Sequence, residues 1–199
     1  NPKTLIVFGG WHPTILPVQT CEHPLVDVVV KGQGERALLE LTECLLAGGS
    51  MQSIRGLAYK NGGQIVETET RQAEDKNNFP PYTYELLDCK KYLYKTDFGE
   101  RTINYATSRG CPHRCTFCAE VVVNKRRWMA LNSERVFAEW GKLVRDYNID
   151  GITIDDNNFF VDKNRVIRIC EGLLKNNIRV KWGDVNAHAR DMLKYEDDV

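Results

Sequence analysis

Residues 102–118 read T-I-N-Y-A-T-S-R-G-C-P-H-R-C-T-F-C, a strand-like run that leads directly into three closely spaced cysteines. The β-branched and apolar residues at 102–107 favour a buried strand. Cys111, Cys115 and Cys118 then follow within eight residues. Thiolates are the usual ligands of iron–sulfur clusters, and three thiolates on a four-iron cluster leave one iron without a protein ligand. Because an open metal position is where chemistry takes place, the stretch predicts a strand followed by a reactive metal loop.

Two less reactive interpretations of the cysteines remain open. Structural zinc with His113 as fourth ligand is disfavoured, because zinc sites usually take two ligand pairs separated by a longer loop. A disulfide framework is disfavoured because seven cysteines is an odd number and 199 residues can build a core without such bonds. The scattered cysteines are predicted to be free thiols: Cys21, Cys44, Cys89 and Cys170. Many free cysteines indicate a reducing compartment, so we expect a cytoplasmic protein.

The charge balance excludes some classes of function. Lysine plus arginine and aspartate plus glutamate both number 27, so the formal net charge is zero. A neutral chain argues against general nucleic-acid binding, and no apolar run approaches the length of a membrane span. The chain enters a strand pattern at residues 4–8 at once and stops at 195–199, where a helix pattern begins. We therefore expect an internal fragment of a longer protein.

The first 68 residues have the pattern of part of an α/β domain. Apolar runs at 4–8 and 26–30 predict strands, each followed by a glycine-rich turn. Helices are expected at about 14–21 and at 35–47, the second with an apolar face formed by Leu38, Leu41, Leu45 and Leu46. This order of strands and helices indicates a parallel sheet. Residues 56–68 add a predicted hairpin closed at Asn61-Gly62.

A polar linker at 69–99, with a short helix expected at 84–92, separates this domain from a second α/β pattern. From residue 100 onward, strands and helices alternate, and the predicted elements are strands at 102–107, 151–154 and 180–186 and helices at 132–147 and 163–176. Repeated strand–helix units with polar residues after each strand suggest a parallel barrel. Three strands cannot close a barrel, so the predicted fold class is α/β with only the first strands of a partial (β/α) barrel.

The spacing C-x3-C-x2-C, with an aromatic residue before the last cysteine, resembles the radical S-adenosylmethionine (SAM) superfamily over about residues 100–199. The resemblance implies that Cys111, Cys115 and Cys118 ligate a 4Fe–4S cluster whose open iron is chelated by SAM. It also implies that Phe117 packs near the adenine of SAM, although an anchor for the loop in the core is an alternative. No residue is assigned a catalytic role in breaking or making bonds.

Further SAM contacts are implied after the second and third strands of the resembled barrel. Asp155, Asp156 and Asn157 stand where the family binds the SAM amino group, and a carboxylate–ammonium hydrogen bond is strong. An ordinary turn or N-cap cluster is the alternative for these three residues. Asp184, Asn186, His188 and Arg190 alternate along the predicted third strand, which would aim them to one side, with Arg190 meeting the SAM carboxylate or an anionic substrate.

The N-terminal pattern resembles the C-terminal half of a flavodoxin-like cobalamin-binding domain, which precedes the barrel in one large branch of radical SAM enzymes. The motifs that carry the resemblance are Gly-Gly-Trp-His-Pro at 9–13 and Lys-Gly-Gln-Gly-Glu at 31–35. They imply corrin contacts from Gly9, Gly10, His12 and Gly32, where glycine allows close backbone approach, and for His12 a cap of the turn is the alternative. A competing dinucleotide fingerprint, Gly32-x-Gly34-x-x-Ala37, lacks the acidic residue expected about 20 residues further on.

These features together predict a cobalamin-dependent radical SAM enzyme that cleaves SAM reductively, for methyl transfer to, or cyclisation at, an unactivated carbon. The implied cofactors are a 4Fe–4S cluster, SAM and cobalamin. The implied partners are a small-molecule substrate and a reductant such as flavodoxin or ferredoxin. Two alternatives stay open: a methylthiotransferase-like radical SAM enzyme without cobalamin, and a non-catalytic cysteine-rich metal-binding module. The predicted domains are 1–68 (cobalamin-binding), 69–99 (linker) and 100–199 (barrel).

Overall fold

The computed structural model describes residues 4–195, which form two units of mixed α/β structure. The first unit comprises residues 4–74 and 117–125, and the second comprises residues 75–116 and 126–195. The helix predicted to begin at 195–199 lies, beyond Tyr195, outside the described residues. Among residues 4–195, no helix combines the length and the apolar character that crossing a membrane requires.

The first unit is built on a four-stranded sheet in the order β1-β2-β3-β4. Strands β1 and β2 are parallel, whereas β3 pairs antiparallel with both β2 and β4. The strands are β1 (Val7–Gly9), β2 (Val28–Val30), β3 (Leu57–Asn61) and β4 (Gln64–Glu67), and the helices are α1 (Trp11–Ile15), α2 (Pro17–Glu22), α3 (Glu35–Leu46) and α4 (Glu120–Val123). The predicted α/β class with a parallel strand pair is thus confirmed, and the two predicted strands are shorter than expected.

The all-valine strand β2 is buried on both faces, which is typical of a central strand in an α/β sheet. Ala37 and Leu41 of α3 cover one of these faces. The predicted apolar face of α3 was therefore largely wrong, because Leu38, Leu45 and Leu46 are exposed and only Leu41 of the four predicted leucines is buried. The hairpin also closes one residue later than predicted, at Gly62-Gly63, where both residues have positive φ as a type I′ turn requires.

The second unit contains a three-stranded parallel sheet in the order β5-β8-β9 and a separate two-stranded ribbon of β6 and β7. The strands are β5 (Thr102–Tyr105), β6 (Ser108–Arg109), β7 (Met129–Ala130), β8 (Gly151–Ile154) and β9 (Lys181–Gly183), and the helices are α5 (Ser133–Tyr147), α6 (Lys163–Lys175) and α7 (Ala189–Met192). Three parallel strands alternating with two long helices match the predicted order of elements. The carboxyl ends of these strands lie at one edge of the sheet.

Helices α5 and α6 cover one face of this sheet and pack closely against each other. Trp140 of α5 and Ile169 of α6 are completely buried with Ile152 of β8. At Gly172 of α6, a Cβ atom would come within 2.1 Å of the Phe137 ring, so the close approach of the two helices requires glycine there. This packing fixes the position of the segments that leave β5 and β8.

Three predicted elements of the second unit differ from the structure. The strand predicted at 102–107 ends at Tyr105, and Asp156 binds the backbone N–H groups of Thr107 and Ser108, where the short strand β6 begins. The helix expected at 84–92 consists of two single 3₁₀ turns. The strand at 180–186 stops at Gly183, because Asp184 has a positive φ of 52° that breaks the extended backbone.

Candidate functional site

The cysteine motif lies on the loop that follows β6, and its thiols are free and partly buried. Cys111 and Cys115 belong to the second unit, and Cys118 belongs to the segment assigned to the first unit. Gly110 opens the loop with a positive φ of 84°, a backbone conformation that favours glycine.

The start of this loop is held by Asp156, whose side chain is 1% exposed. One carboxylate oxygen accepts from the backbone N–H groups of Thr107 and Ser108 at 2.6 and 2.8 Å. The other accepts from the hydroxyl groups of the same two residues, both at 2.6 Å. Carboxylate hydrogen bonds of this length are strong. Asp156 therefore ties the end of β8 to the beginning of the cysteine loop.

Two neighbouring side chains extend this support. Asn157 accepts from the N–H of Gly110 at 2.9 Å, directly before Cys111. Arg165 of α6 is buried and donates to the carbonyl oxygens of Leu131 and Thr107 at 2.8 and 3.1 Å. Burial lowers the pKa of the Arg165 guanidinium, and the nearby Asp156 carboxylate opposes this shift. That Asp156 and Asn157 contact SAM stays a prediction, and in the structure their oxygen atoms are engaged with the loop.

Asp155 differs from Asp156 in its surroundings, because its side chain is exposed. It lines a pocket of about 360 Å³ within the second unit, whose wall contains three tyrosine rings. The lining includes Tyr82, Tyr84 and Tyr105 together with Asn104. Of the three predicted polar residues after β8, Asp155 is therefore the one whose carboxylate is open to a ligand.

A second polar network reaches the cysteine loop from α7. Asp191 is 2% exposed, and its Oδ2 lies 2.6 Å from His113 Nε2 and accepts from Asn158 Nδ2 at 2.7 Å. Lys194 donates to Asp191 Oδ1 at 2.6 Å. Burial raises the pKa of Asp191, but the hydrogen bonds from Lys194, His113 and Asn158 together outweigh this effect and lower the pKa to about 2. Asp191 is consequently an anion at neutral pH that holds both the loop and Asn158.

The prediction that Arg190 lies on the third strand was wrong. Arg190 lies in α7 and is exposed, and the row of side chains expected on one face of a strand does not form beyond Gly183. Its neighbour Asp191 is the buried residue that reaches the loop, and sequence reasoning missed both Asp191 and Asn158. The available signals were the i, i+3 spacing of His188 and Asp191 and the polar run at 155–158.

Phe117 is 91% exposed, so it does not anchor the loop in a core. The alternative of a loop anchor is thereby contradicted, and the adenine contact stays a prediction. An exposed aromatic ring offers a face on which a flat base can stack.

The predicted cobalamin residues of the first unit lie on two turns at the carboxyl ends of β1 and β2. Thr14 connects these turns, because its hydroxyl donates to the Gly10 carbonyl at 2.6 Å and accepts from the Gly32 N–H at 2.9 Å. Both glycines have positive φ, and a Cβ on either would meet nothing within 4 Å. Gly9 and His12 are exposed beside them. The structure thus places all four predicted residues at one edge of the sheet.

Apolar side chains surround these turns and are open to solvent. Phe8 and Trp11, which flank the glycine pair, are about half exposed. Within the same unit, α4 packs against α1, so the segment that follows Cys118 contacts the helix that follows Gly10. An exposed apolar surface beside bare backbone fits a large, flat and partly apolar ligand.

Comparison with known proteins gives relatives along nearly the whole chain, although no family model matches. An uncharacterised methyltransferase of Pyrococcus horikoshii is 34% identical over 187 residues, which is 92% of this chain and 39% of that protein. The anaerobic magnesium-protoporphyrin IX monomethyl ester cyclase of Cereibacter sphaeroides is 28% identical over 96% of this chain and 32% of its own length. The chain thus spans about a third of the length of these relatives.

Solved structures show the same fold. The cobalamin-dependent SAM radical enzyme OxsB with aqua-cobalamin bound superimposes with a TM-score of 0.69 and 24% identity, over 89% of this chain and 25% of that one. The radical SAM methyltransferase TsrM from Kitasatospora setae, with cobalamin and a [4Fe–4S] cluster bound, gives a TM-score of 0.59 and 18% identity over 87% and 34%. These two likenesses are likenesses of fold, and they agree with the parallel sheet of the second unit. Both structural neighbours are radical SAM enzymes that have cobalamin bound, in agreement with the resemblance drawn from the sequence.

Proposed function

We propose that the full-length protein is a cobalamin-dependent radical SAM enzyme that acts on an unactivated carbon of a small-molecule substrate, by methyl transfer or by cyclisation. The observation that carries this proposal is the loop of three free thiols tied to the ends of two parallel strands by the buried Asp156. In this proposal residues 4–68 are part of a cobalamin-binding domain, and residues 100–195 are the first strands of a barrel.

The donor set of the loop fits a 4Fe–4S cluster. Three thiols with no disulfide partner are the ligands that such clusters prefer. The side-chain oxygen Oδ1 of Asn158 is buried and has no hydrogen-bond partner among residues 4–195, whereas Nδ2 of the same amide contacts Cys111. A buried polar atom of this kind is one that a bound ligand or water can satisfy. Cys111, Cys115 and Cys118 would hold the cluster.

When bound, a reduced cluster supplies one electron to SAM at its open iron, and cobalamin supplies methyl-transfer chemistry. The task of the chain is to position these groups. Asp156, Asn157 and Arg165 fix the start of the loop, directly before Cys111. The exposed carboxylate of Asp155 is suited to accept a hydrogen bond from the SAM ammonium group. The exposed ring of Phe117 is suited to stack on adenine.

The electron has to come from outside the chain, and a flavodoxin or ferredoxin is the proposed donor. The proposed cobalamin site is supported by one edge of the first unit. There Gly10 and Gly32 have open space beside their backbone, and Thr14 hydrogen-bonds to both of them. Glycines at such positions let a ligand approach the backbone closely. His12, exposed at the same edge, stays a proposed contact.

The methylthiotransferase alternative is disfavoured by the positions of the remaining cysteines. Such enzymes need three further cysteines that converge on a second cluster. Cys21 packs with Val29 on one face of the first sheet, whereas Cys44 packs with residues of the opposite face. Cys89 is buried in the core of the second unit. Cys21 and Cys44 therefore do not share a metal site within the first unit.

The cobalamin part of the proposal is tested by Gly32→Ala. A methyl group on this exposed turn would stand between the backbone and the corrin, so we expect cobalamin affinity to fall at least tenfold. The measurement is the cobalamin retained after anaerobic purification, read from its visible absorbance, and a titration of the apo-protein with hydroxocobalamin.

Gly48→Ala is the matched control, because Gly48 has nearly the same φ (65° against 72°) and equally open space at its Cβ. Both variants carry the same backbone strain, roughly 1–2 kcal/mol. Equal loss of cobalamin in the two variants would contradict a corrin contact at Gly32, and a wild-type protein that binds no cobalamin would contradict the proposed branch.

A further inference from the structure

The side chain of Asn158 lies between the cysteine loop and the buried anion of α7. Its Nδ2 is 3.8 Å from the Cys111 sulfur and 2.7 Å from Asp191 Oδ2. A primary amide has two N–H groups, so one can point at the sulfur while the other is held by the carboxylate. The side chain is 1% exposed, and water therefore does not compete for these hydrogen bonds.

The orientation of this amide is set by charge. If the amide were rotated, its oxygen would face the Asp191 carboxylate, and two acceptors would repel each other. Asp191 is itself fixed by Lys194 on one oxygen and by His113 on the other. Trp128 Nε1 donates to the backbone carbonyl oxygen of Asn158 at 3.1 Å, which holds the backbone at the same point. The direction of the N–H toward sulfur is therefore prearranged.

His113, His188 and Asp191 also form a group whose ligating atoms lie within 4.8 Å of one another. The two imidazole rings are stacked, with centroids 3.5 Å apart and planes inclined by only 10°. The nitrogen lone pairs of His113 and His188 lie in the planes of their rings. Because the two rings are parallel, these lone pairs are not directed at one shared metal ion. Because Asp191 is also engaged with Lys194, this group fits a support for the loop better than a second metal site.

We propose that Asn158 is a positioning residue that sets the reduction potential of the cluster through an N–H···S hydrogen bond to Cys111. The inference rests on the cluster in the proposed function and deepens it. Reduction adds one electron from an external donor such as flavodoxin and breaks no bond, so the cluster and its thiolates become more negative. A hydrogen bond to sulfur stabilises that more negative form and raises the potential. Asn158 thus favours reduction of the cluster.

The test is Asn158→Leu in the full-length protein, which removes the donor and approximately keeps the volume. The midpoint potential is measured by an anaerobic redox titration followed by EPR. We expect the equilibrium constant for reduction to fall roughly tenfold, which for one electron is a shift of about 59 mV to lower potential. Asn158→Gln keeps an amide that can reach the sulfur and should recover part of the shift.

Asn176→Leu is the matched control. It removes one amide hydrogen bond, to the Gly172 carbonyl at the end of α6, and this bond lies away from the loop.

If Asn158→Leu fails to fold, Asp191→Asn provides the second test. It leaves Asn158 in place but removes the charge that orients its amide, and the midpoint potential should again fall. The inference would be overturned if every Asn158 or Asp191 variant with a full cluster had the same midpoint potential as Asn176→Leu. That result would leave the proposed function intact. A wild-type protein without any cluster would overturn the proposed function as well.

Discussion

Replacing any one of Cys111, Cys115 and Cys118 with alanine is expected to reduce the iron bound by the anaerobically reconstituted full-length protein to background. A four-iron cluster with one open iron has only three protein ligands, so no fourth thiolate can compensate for the loss. Ligand thiolates also supply the binding free energy. The measurement is iron and sulfide per protein, together with the visible absorbance of the cluster.

Cys170→Ala is the matched control for these variants. Cys170 is a free, partly buried thiol of α6, and burial raises its pKa, which makes its thiolate scarce. This variant should keep the iron content of the wild type. Retention of zinc without iron in the wild type would favour the binding-module alternative. Equal iron content in all four cysteine variants would show that the three cysteines of the motif do not bind the iron.

Replacing Asp156 with alanine is expected to destabilise the second unit by about 3 kcal/mol or more. The substitution leaves the buried N–H groups of Thr107 and Ser108 without their acceptor, and each unsatisfied donor costs roughly 1–3 kcal/mol. For a chain of this size, such a loss lowers Tm by roughly 6–12 °C. The measurement is thermal unfolding followed by tryptophan fluorescence, because Trp140 and Trp182 belong to the core of this unit.

Asp155→Ala is the control, since this neighbouring carboxylate is exposed and a surface substitution usually changes the free energy of unfolding by less than about 0.5 kcal/mol. Asp156→Ala should also bind less iron than Asp155→Ala at a temperature where both are folded, because its loop is no longer fixed. Equal Tm values for the two variants would show that the Asp156 network does not hold the loop.

The sequence predicted the parts of the fold that depend on local patterns. The helices at 133–147 and 163–175 were expected almost to the residue, because their apolar residues repeat at helical spacing and polar residues precede each of them. The parallel pairing of β5 and β8 followed from the alternation of strands and helices. The cysteine loop was expected from spacing alone, because ligand identity and separation are local properties.

The task of Asp156 could not be predicted in the same way. Its partners Thr107 and Ser108 lie 48 to 49 residues earlier in the chain, and a pattern of single residues carries no information on that separation. The same holds for Asn158 and Asp191, which are brought to Cys111 from the ends of β8 and α7. The prediction that Asp184, Asn186, His188 and Arg190 lie on one face was wrong, because it assumed an extended strand. The positive φ of Asp184 ends that strand.

The central claim is that the open iron of a three-cysteine cluster binds SAM, and low-temperature EPR tests it most directly. The full-length protein is reconstituted anaerobically with iron and sulfide, reduced with dithionite, and measured with and without SAM. We predict a signal of a reduced 4Fe–4S cluster whose g values change on addition of SAM, and which is absent from Cys115→Ala. A signal that is identical with and without SAM, or no cluster signal in a protein that retains zinc, would contradict the account.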